Sequence, residues 1–284
     1  MKPMKKQGKK IAALLSFSVA GLLVFVVFSH MRPMLPDPID LIGRIFLAAV
    51  FLAASLAMRR SDRWKDCGSV SFAFFVALVA ISIDLYLPSS AWVRAWLHVP
   101  LFTPLGIALD KLDSSLIIIL TVLILTRLAG GSPGSVFVKR GNWRKGLVVG
   151  GIAFLVTMVG SYFMAQLFGA TNLSLTRIIP WIPWIAVFIF GNAFNEELLF
   201  RGLFLDKMKP AVGPVLANLV LILPFVLHHT GVTYTNDTLM FLGYLIPLAF
   251  FWGRITQKTD SILGSVLFHA GTDISVVLVL FADL

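Results

Sequence analysis

The sequence predicts an all-α fold, a polytopic bundle of about eight to nine transmembrane helices, and three observations carry that expectation. Hydrophobic residues make up 58% of the 284 and charged ones only 13%, roughly half the charged share of a typical soluble domain. Mean hydropathy is +0.88. The apolar residues fall in runs of about 20, the length that crosses a hydrocarbon core as a helix. A chain so composed cannot cover a globular surface with polar groups, so lipid is its expected solvent.

Nine runs qualify: 11–29, 41–58, 69–87, 103–127, 146–168, 177–205, 213–230, 239–254 and 261–281. Asp110, Lys111 and Asp113 interrupt the fourth, which allows a shorter helix starting near Ser114. The eighth is short. The Lys/Arg distribution sets the orientation. With a cytoplasmic N-terminus, eighteen basic residues lie inside, from the tail (Lys2, Lys5, Lys6, Lys9, Lys10) through the inner loops to Arg254 and Lys258. Only Arg32, Arg94 and Arg177 lie outside. The expectation is a multi-pass protein of the plasma membrane with its N-terminus in the cytoplasm. The first run is long for a signal peptide, and Ser29-His30-Met31 offers no small-x-small cleavage site, so it reads as an uncleaved anchor. Trp92, Trp96, Trp181 and Trp184 sit near outer boundaries, where interfacial aromatics belong.

The net charge of +10 does not point to nucleic acid, because the basic residues fall in the gaps between apolar runs. The single cysteine, Cys67, excludes an intramolecular disulfide and any multi-cysteine metal site. The sequence divides into residues 1–172, about five spans with an inner basic loop at 128–145, and residues 173–284, about four spans. That loop, Gly/Ser-rich and then basic, reads as a solvated connector at the inner leaflet. Ionisable residues other than the interrupting charges of the fourth run concentrate in the second region.

Ionisable side chains inside a span are costly and mark function by default. Three groups stand out. On the sixth run, Glu197 and Arg201 are one turn apart and suited to pair, which leaves Glu196 free as a base. On the seventh, Phe225 precedes His228 and His229, which point about 100° apart, so at most one faces Glu196. On the ninth, His269 and Asp273 share a helix face at i,i+4 spacing. Depths counted from the inner boundaries put Glu196 at about 14 Å and His269 at about 12 Å. His229 comes out at about 24 Å, beyond direct contact with Glu196 unless Pro224 kinks its helix.

These segments resemble the CPBP family of intramembrane proteases (CAAX protease and bacteriocin-processing, also called Abi). The family pattern is Glu-Glu-x-x-x-Arg, then Phe-x-x-x-His, then His-x-x-x-Asn/Asp, matched here by Glu196, Glu197 and Arg201, by Phe225 and His229, and by His269 and Asp273. The resemblance covers about 175–284. It implies an intramembrane endopeptidase in which Glu196 with His229 activates a water, and His269 stabilises the oxyanion with Asp273 orienting it. Glu197, Arg201 and Phe225 would be structural support. Eukaryotic members usually carry Asn where this chain has Asp273. No cofactor is expected. Zinc on Glu196, His229 and His269 is the metal-dependent alternative, although the ligands lack His-Glu-x-x-His spacing. Expected partners are a peptide or lipid-anchored protein substrate and membrane lipids. A non-catalytic scaffold or bacteriocin-immunity protein on the same fold is the alternative function. A transporter fits less well, since no duplicated halves are visible.

Overall fold

The computed structural model describes residues 3–235, 237–282 and 284, and side chains from residue 7 onward. Lys2, and the side chains of Lys5 and Lys6 in the basic tail, lie outside it. Among the described residues there are twelve α-helices and no strands. They are α1 (Pro3–Leu22, extended by a π-helical turn Leu23–Val27), α2 (Ile39–Arg59), α3 (Lys65–Tyr86), the short α4 (Ser89–Leu97), α5 (Pro104–Leu128) and α6 (Trp143–Leu167). Then come the short α7 (Leu175–Ile178), α8 (Ile182–Glu196), a π-helical turn Glu197–Gly202, α9 (Leu203–Val212), α10 (Pro214–His228), α11 (Thr238–Thr259) and α12 (Leu263–Ala282). Eight helical segments are long and apolar enough to cross a membrane, which makes this a multi-pass membrane protein.

The ninth long helix, α5, fails that test only through its charges. It begins at Pro104, not near Ser114, because Thr103 caps it by accepting a hydrogen bond from the Gly106 N–H at 3.0 Å. Its acidic residues are taken up by α4: Ser89 donates to Asp113 and Ser90 to Asp110, both at 2.7 Å. Two other helices outrun the apolar runs that predict them. The sixth run ends at 205, yet the helix continues through Asp206, Lys207 and Lys209 to Val212. The eighth ends at 254, yet the helix continues through Lys258 to Thr259.

Helices from both halves of the sequence interleave: α1 packs on α10, α3 on α9, α5 on α8 and α6 on α12. Within the first half, Arg44 and Asp40 form a fully buried i,i+4 ion pair on α2. Arg44 also donates to the Ser29 carbonyl at 3.0 Å, and Tyr86 donates to Asp40 at 2.9 Å, tying α2 to α3 and to the 28–38 connector. Val148, Ile152, Val156, Val159 and Phe163 form an exposed apolar stripe along α6, the surface that lipid would cover.

The connector 129–142 is only partly solvated. Val136 and Phe137 are buried, and its backbone clasps the turn between α11 and α12. The Asn142 N–H donates to the Thr259 carbonyl at 2.7 Å, Ser261 donates to the Lys139 carbonyl at 2.7 Å, and Lys139 pairs with Asp260 at 2.8 Å. Gly141 has φ +48° and lies against the Thr259–Asp260 backbone, so a side chain there would be strained and obstructed.

Above the clasp, α6 and α12 meet at close range through Gly146, Gly150 and Gly264. This is the small-residue packing that lets helix backbones approach in a membrane. A methyl group at Gly150 would overlap the Gly264 backbone, whereas one at Gly151 would meet nothing within 4 Å. Gly150→Leu is therefore expected to destabilise the protein by about 1–3 kcal/mol, the usual cost of overpacking. Gly151→Leu should leave it unchanged, and thermal unfolding of the two purified variants in detergent separates these outcomes.

Candidate active site

The helix that carries the first motif changes register where its charges begin. Glu196 ends α8, and Glu197 opens the π-helical turn that runs to Gly202. Such turns recur at functional sites because the extra residue re-aims side chains. Gly202 closes the turn directly above the connector, where a Cβ would stand 2.8 Å from the Val136 carbonyl oxygen.

Glu197 is fully buried and accepts from two sides. Arg201 Nη1 donates to its Oε1 at 2.9 Å, and His269 Nδ1 lies 3.0 Å from the same oxygen. Arg201, 2% exposed, also donates to the Ala249 carbonyl at 3.2 Å. Its guanidinium lies 4.5 Å from the Phe225 ring centre and 5.2 Å from that of Trp252, so aromatic faces cover what hydrogen bonds do not. Trp252 in turn stacks on the His269 imidazole, centroids 3.9 Å apart and planes within 8°. The ring of His269 is thus held by Glu197 at its edge and by Trp252 on its face.

Glu196 projects into a cavity of about 60 Å³ lined also by His229, His269, Asp273, Asn192 and Lys111. Its Oε2 lies 3.6 Å from His269 Nε2 and 3.8 Å from His229 Nε2. No protein group hydrogen-bonds that buried oxygen. His229 Nδ1 is 2.8 Å from the Phe225 carbonyl oxygen. A carbonyl only accepts, so Nδ1 carries the proton and Nε2 presents a lone pair toward Glu196 when the ring is neutral. His228 turns away, its Nδ1 2.8 Å from the Phe25 carbonyl oxygen and 3.1 Å from Ser29 Oγ.

One expectation needs correction. His229 stands beside Glu196, and Pro224 lies inside an unbroken α10. Counted from Val212, Glu196 lies about 24 Å along its helix, and His229 lies about 22 Å from Pro214. His269 lies only about 9 Å from Leu263 yet meets the same Glu196, so the helix ends do not stand at one level and depth counted from them is no guide to contact. Asp273 faces the His269 imidazole at the nitrogen that Glu197 leaves free, with Oδ1 3.5 Å from His269 Nε2. Its Oδ2 accepts from Asn192 Nδ2 at 2.9 Å. Two carboxylates thus flank His269, Glu197 at Nδ1 and Asp273 at Nε2, and Asp273 also holds Asn192.

Among the described residues, no group of three or more His, Cys, Asp or Glu side chains is arranged to hold a metal ion. Sequence reasoning passed over Asn192, Trp252, Tyr234, Tyr244 and Lys111, all of which line the cavity. Asn192 had a signal, since it sits one turn before Glu196 on the same face. Lys111 had another, as a cation inside an apolar run. The aromatics had none, because nothing separates them by sequence from ordinary core residues.

Residues 177–275 match the family described as Rce1-like, type II CAAX prenyl endopeptidase Rce1-like. All three motifs lie within the match, and α1 to α6 lie outside it. No curated protein and no solved structure matches the chain.

Arg201→Met leaves the Glu197 carboxylate buried against a single histidine. Removing one partner of a buried pair typically costs about 3–5 kcal/mol, so this variant should unfold well below the wild type. The double variant Glu197→Gln/Arg201→Met should regain part of the loss. Equal thermal stability of wild type and Arg201→Met in detergent would contradict the assignment.

Proposed function

We propose that the protein is an intramembrane endopeptidase in which Glu196 activates a water, a reading supported by the match of residues 177–275 to the Rce1-like CAAX prenyl endopeptidase family. The observation that carries this reading is the Glu196 Oε2 atom. It is buried, without a protein hydrogen bond, and between two imidazoles at 3.6 and 3.8 Å. A carboxylate so placed can hold a water on one side and imidazole nitrogens on the other.

In the proposed reaction, the water oxygen attacks the scissile carbonyl carbon as one of its protons passes to Glu196. The carbonyl π electrons move onto oxygen. His229 Nε2 accepts a hydrogen bond from the water and fixes its direction of attack. His269, protonated at Nε2 and held by Glu197, donates to the developing oxyanion. An ionised Asp273 would repel that oxyanion. Its service is to hold Asn192 beside the reacting groups. The proton held by Glu196 then passes to the leaving nitrogen as the C–N bond breaks. No step runs through zinc or another cofactor.

The substrate we propose is a peptide or a lipid-anchored protein reaching the site from within or beside the bilayer. The cavity is lined by Met31 and Tyr234, which belong to connectors 28–38 and 232–237 at the end of the bundle away from the N-terminus. With the N-terminus in the cytoplasm of a plasma-membrane protein, as the basic residues favour, the substrate enters from the opposite side.

Glu196→Gln keeps shape and removes the base. It is expected to lower the turnover of a prenylated or unmodified membrane-inserting peptide by about 100-fold or more, the usual share of general-base catalysis. Circular dichroism and thermal stability should not change. Retained turnover in purified Glu196→Gln protein would refute the mechanism, and a wild type inert toward both peptide classes would favour a scaffold or immunity role.

A further inference from the structure

We infer that Lys111 is a specificity-determining residue that receives a carboxylate of the substrate inside the cavity that holds Glu196. Lys111 belongs to α5, outside the family match, yet it lines the same cavity as Glu196 and Asp273. An ammonium within a span is costly. Where it persists it faces a partner or a water-filled path, and it marks the route of a substrate.

The acidic residues around Lys111 are engaged elsewhere. Asp110 accepts from Ser90 at 2.7 Å and faces Arg94 at 3.9 Å. Asp113 accepts from Ser89 at 2.7 Å. Asp84 faces His30 at 3.7 Å and shares the neighbourhood of Lys111 without forming an ion pair with it. Among the described residues no carboxylate lies within ion-pair distance of the Lys111 ammonium, which rests 5.4 Å from the centre of the Phe188 ring. Phe188, Asn192 and Glu196 follow one another at successive turns of α8. Lys111 therefore sits about two turns from Glu196, toward the mouth formed by Met31 and Tyr234.

A substrate entering past the mouth meets a cation before it reaches Glu196. Glu196 and Asp273 would repel a carboxylate that travelled deeper, so the charges give an anionic substrate group one favourable station. A side-chain carboxylate and a chain-terminal carboxylate present the same chemistry there. This inference rests on the proteolytic reading for its cleavage assay and is independent of it for its binding assay.

The test takes the full chain in proteoliposomes and a library of membrane-inserting peptides with Glu or Gln at each position and with free or amidated C-termini. Cleavage is read by mass spectrometry. The wild type should cut carboxylate-bearing peptides with a KM about tenfold lower than neutral ones, the scale of one charge-assisted contact. Lys111→Met should lose that preference with little change in kcat, Lys111→Arg should keep it, and Lys111→Glu should favour Lys-bearing peptides. Loss of the preference on amidation assigns it to the chain terminus, and loss on Glu-to-Gln exchange assigns it to a side chain. Identical profiles for wild type and Lys111→Met overturn the inference. If the wild type cuts nothing, the proteolytic reading fails, and dye-labelled copies of the same peptides are titrated onto Glu196→Gln protein. Tighter binding of the carboxylate forms that vanishes with Lys111→Met then sustains the inference, and equal or absent binding overturns it.

Discussion

A carboxylate sealed inside a lipid-embedded bundle has no water to turn to, and the Glu197 side chain is fully buried. Its charge must be answered by protein, and two groups answer it: the Arg201 guanidinium and the His269 imidazole. Those partners lie on different elements, so one oxygen atom joins the π-helical turn to α12. Satisfying Glu197 also fixes the direction of the His269 ring and, through the Arg201 bond to the Ala249 carbonyl, the approach of α11. The neighbouring Glu196 differs by one position in sequence and by nearly everything in surroundings. It faces the cavity between two imidazoles, whereas Glu197 is held at Oε1 and does not line that cavity. A pair of adjacent glutamates is thereby divided into one that holds and one that is available.

The positions of these residues depend on backbone contacts far from any charge. The glycines of α6 and α12 allow a close approach that larger residues would prevent, and the 129–142 connector supports the turn from which α12 starts. The α6 glycines and the connector come from the region outside the family match. The first six helices are therefore more than anchors: they place α12, line the cavity through Lys111, and bring the 28–38 connector to its mouth.

Much of this was legible in the sequence, because hydropathy and the cost of charges in lipid act locally. Nine apolar runs marked the long helices, and the three motif segments stood out as charged or polar exceptions within them. Helix ends were less legible. A helix does not stop where apolar residues stop, so Asp206 to Val212 and Ile255 to Thr259 were cut away, and depths counted from such ends misjudged the contact of His229 with Glu196. The roles of Gly150, Trp252 and Phe137 were hidden for a different reason. Each is an ordinary residue for its surroundings, and its importance arises only from a partner on another element: Gly264 for Gly150, His269 for Trp252 and Ile262 for Phe137. The contact of Glu197 with His269 belongs to the same class. Spacing within α12 pointed to Asp273 as a partner of His269, and only the packing of two helices could bring Glu197 to its other nitrogen.

The burial of α12 has a bearing on how the protein is made. It is the most enclosed of the candidate spans, with 72% of its apolar window inside the bundle, against 11% for α6, its main neighbour. Following α1 to α11 in the sequence, it is the element that carries His269 to Glu197 and to Glu196. Until it packs, Glu197 lacks His269 and Glu196 lacks one of its two imidazoles. The docking of this one helix against α6 therefore completes the reaction centre.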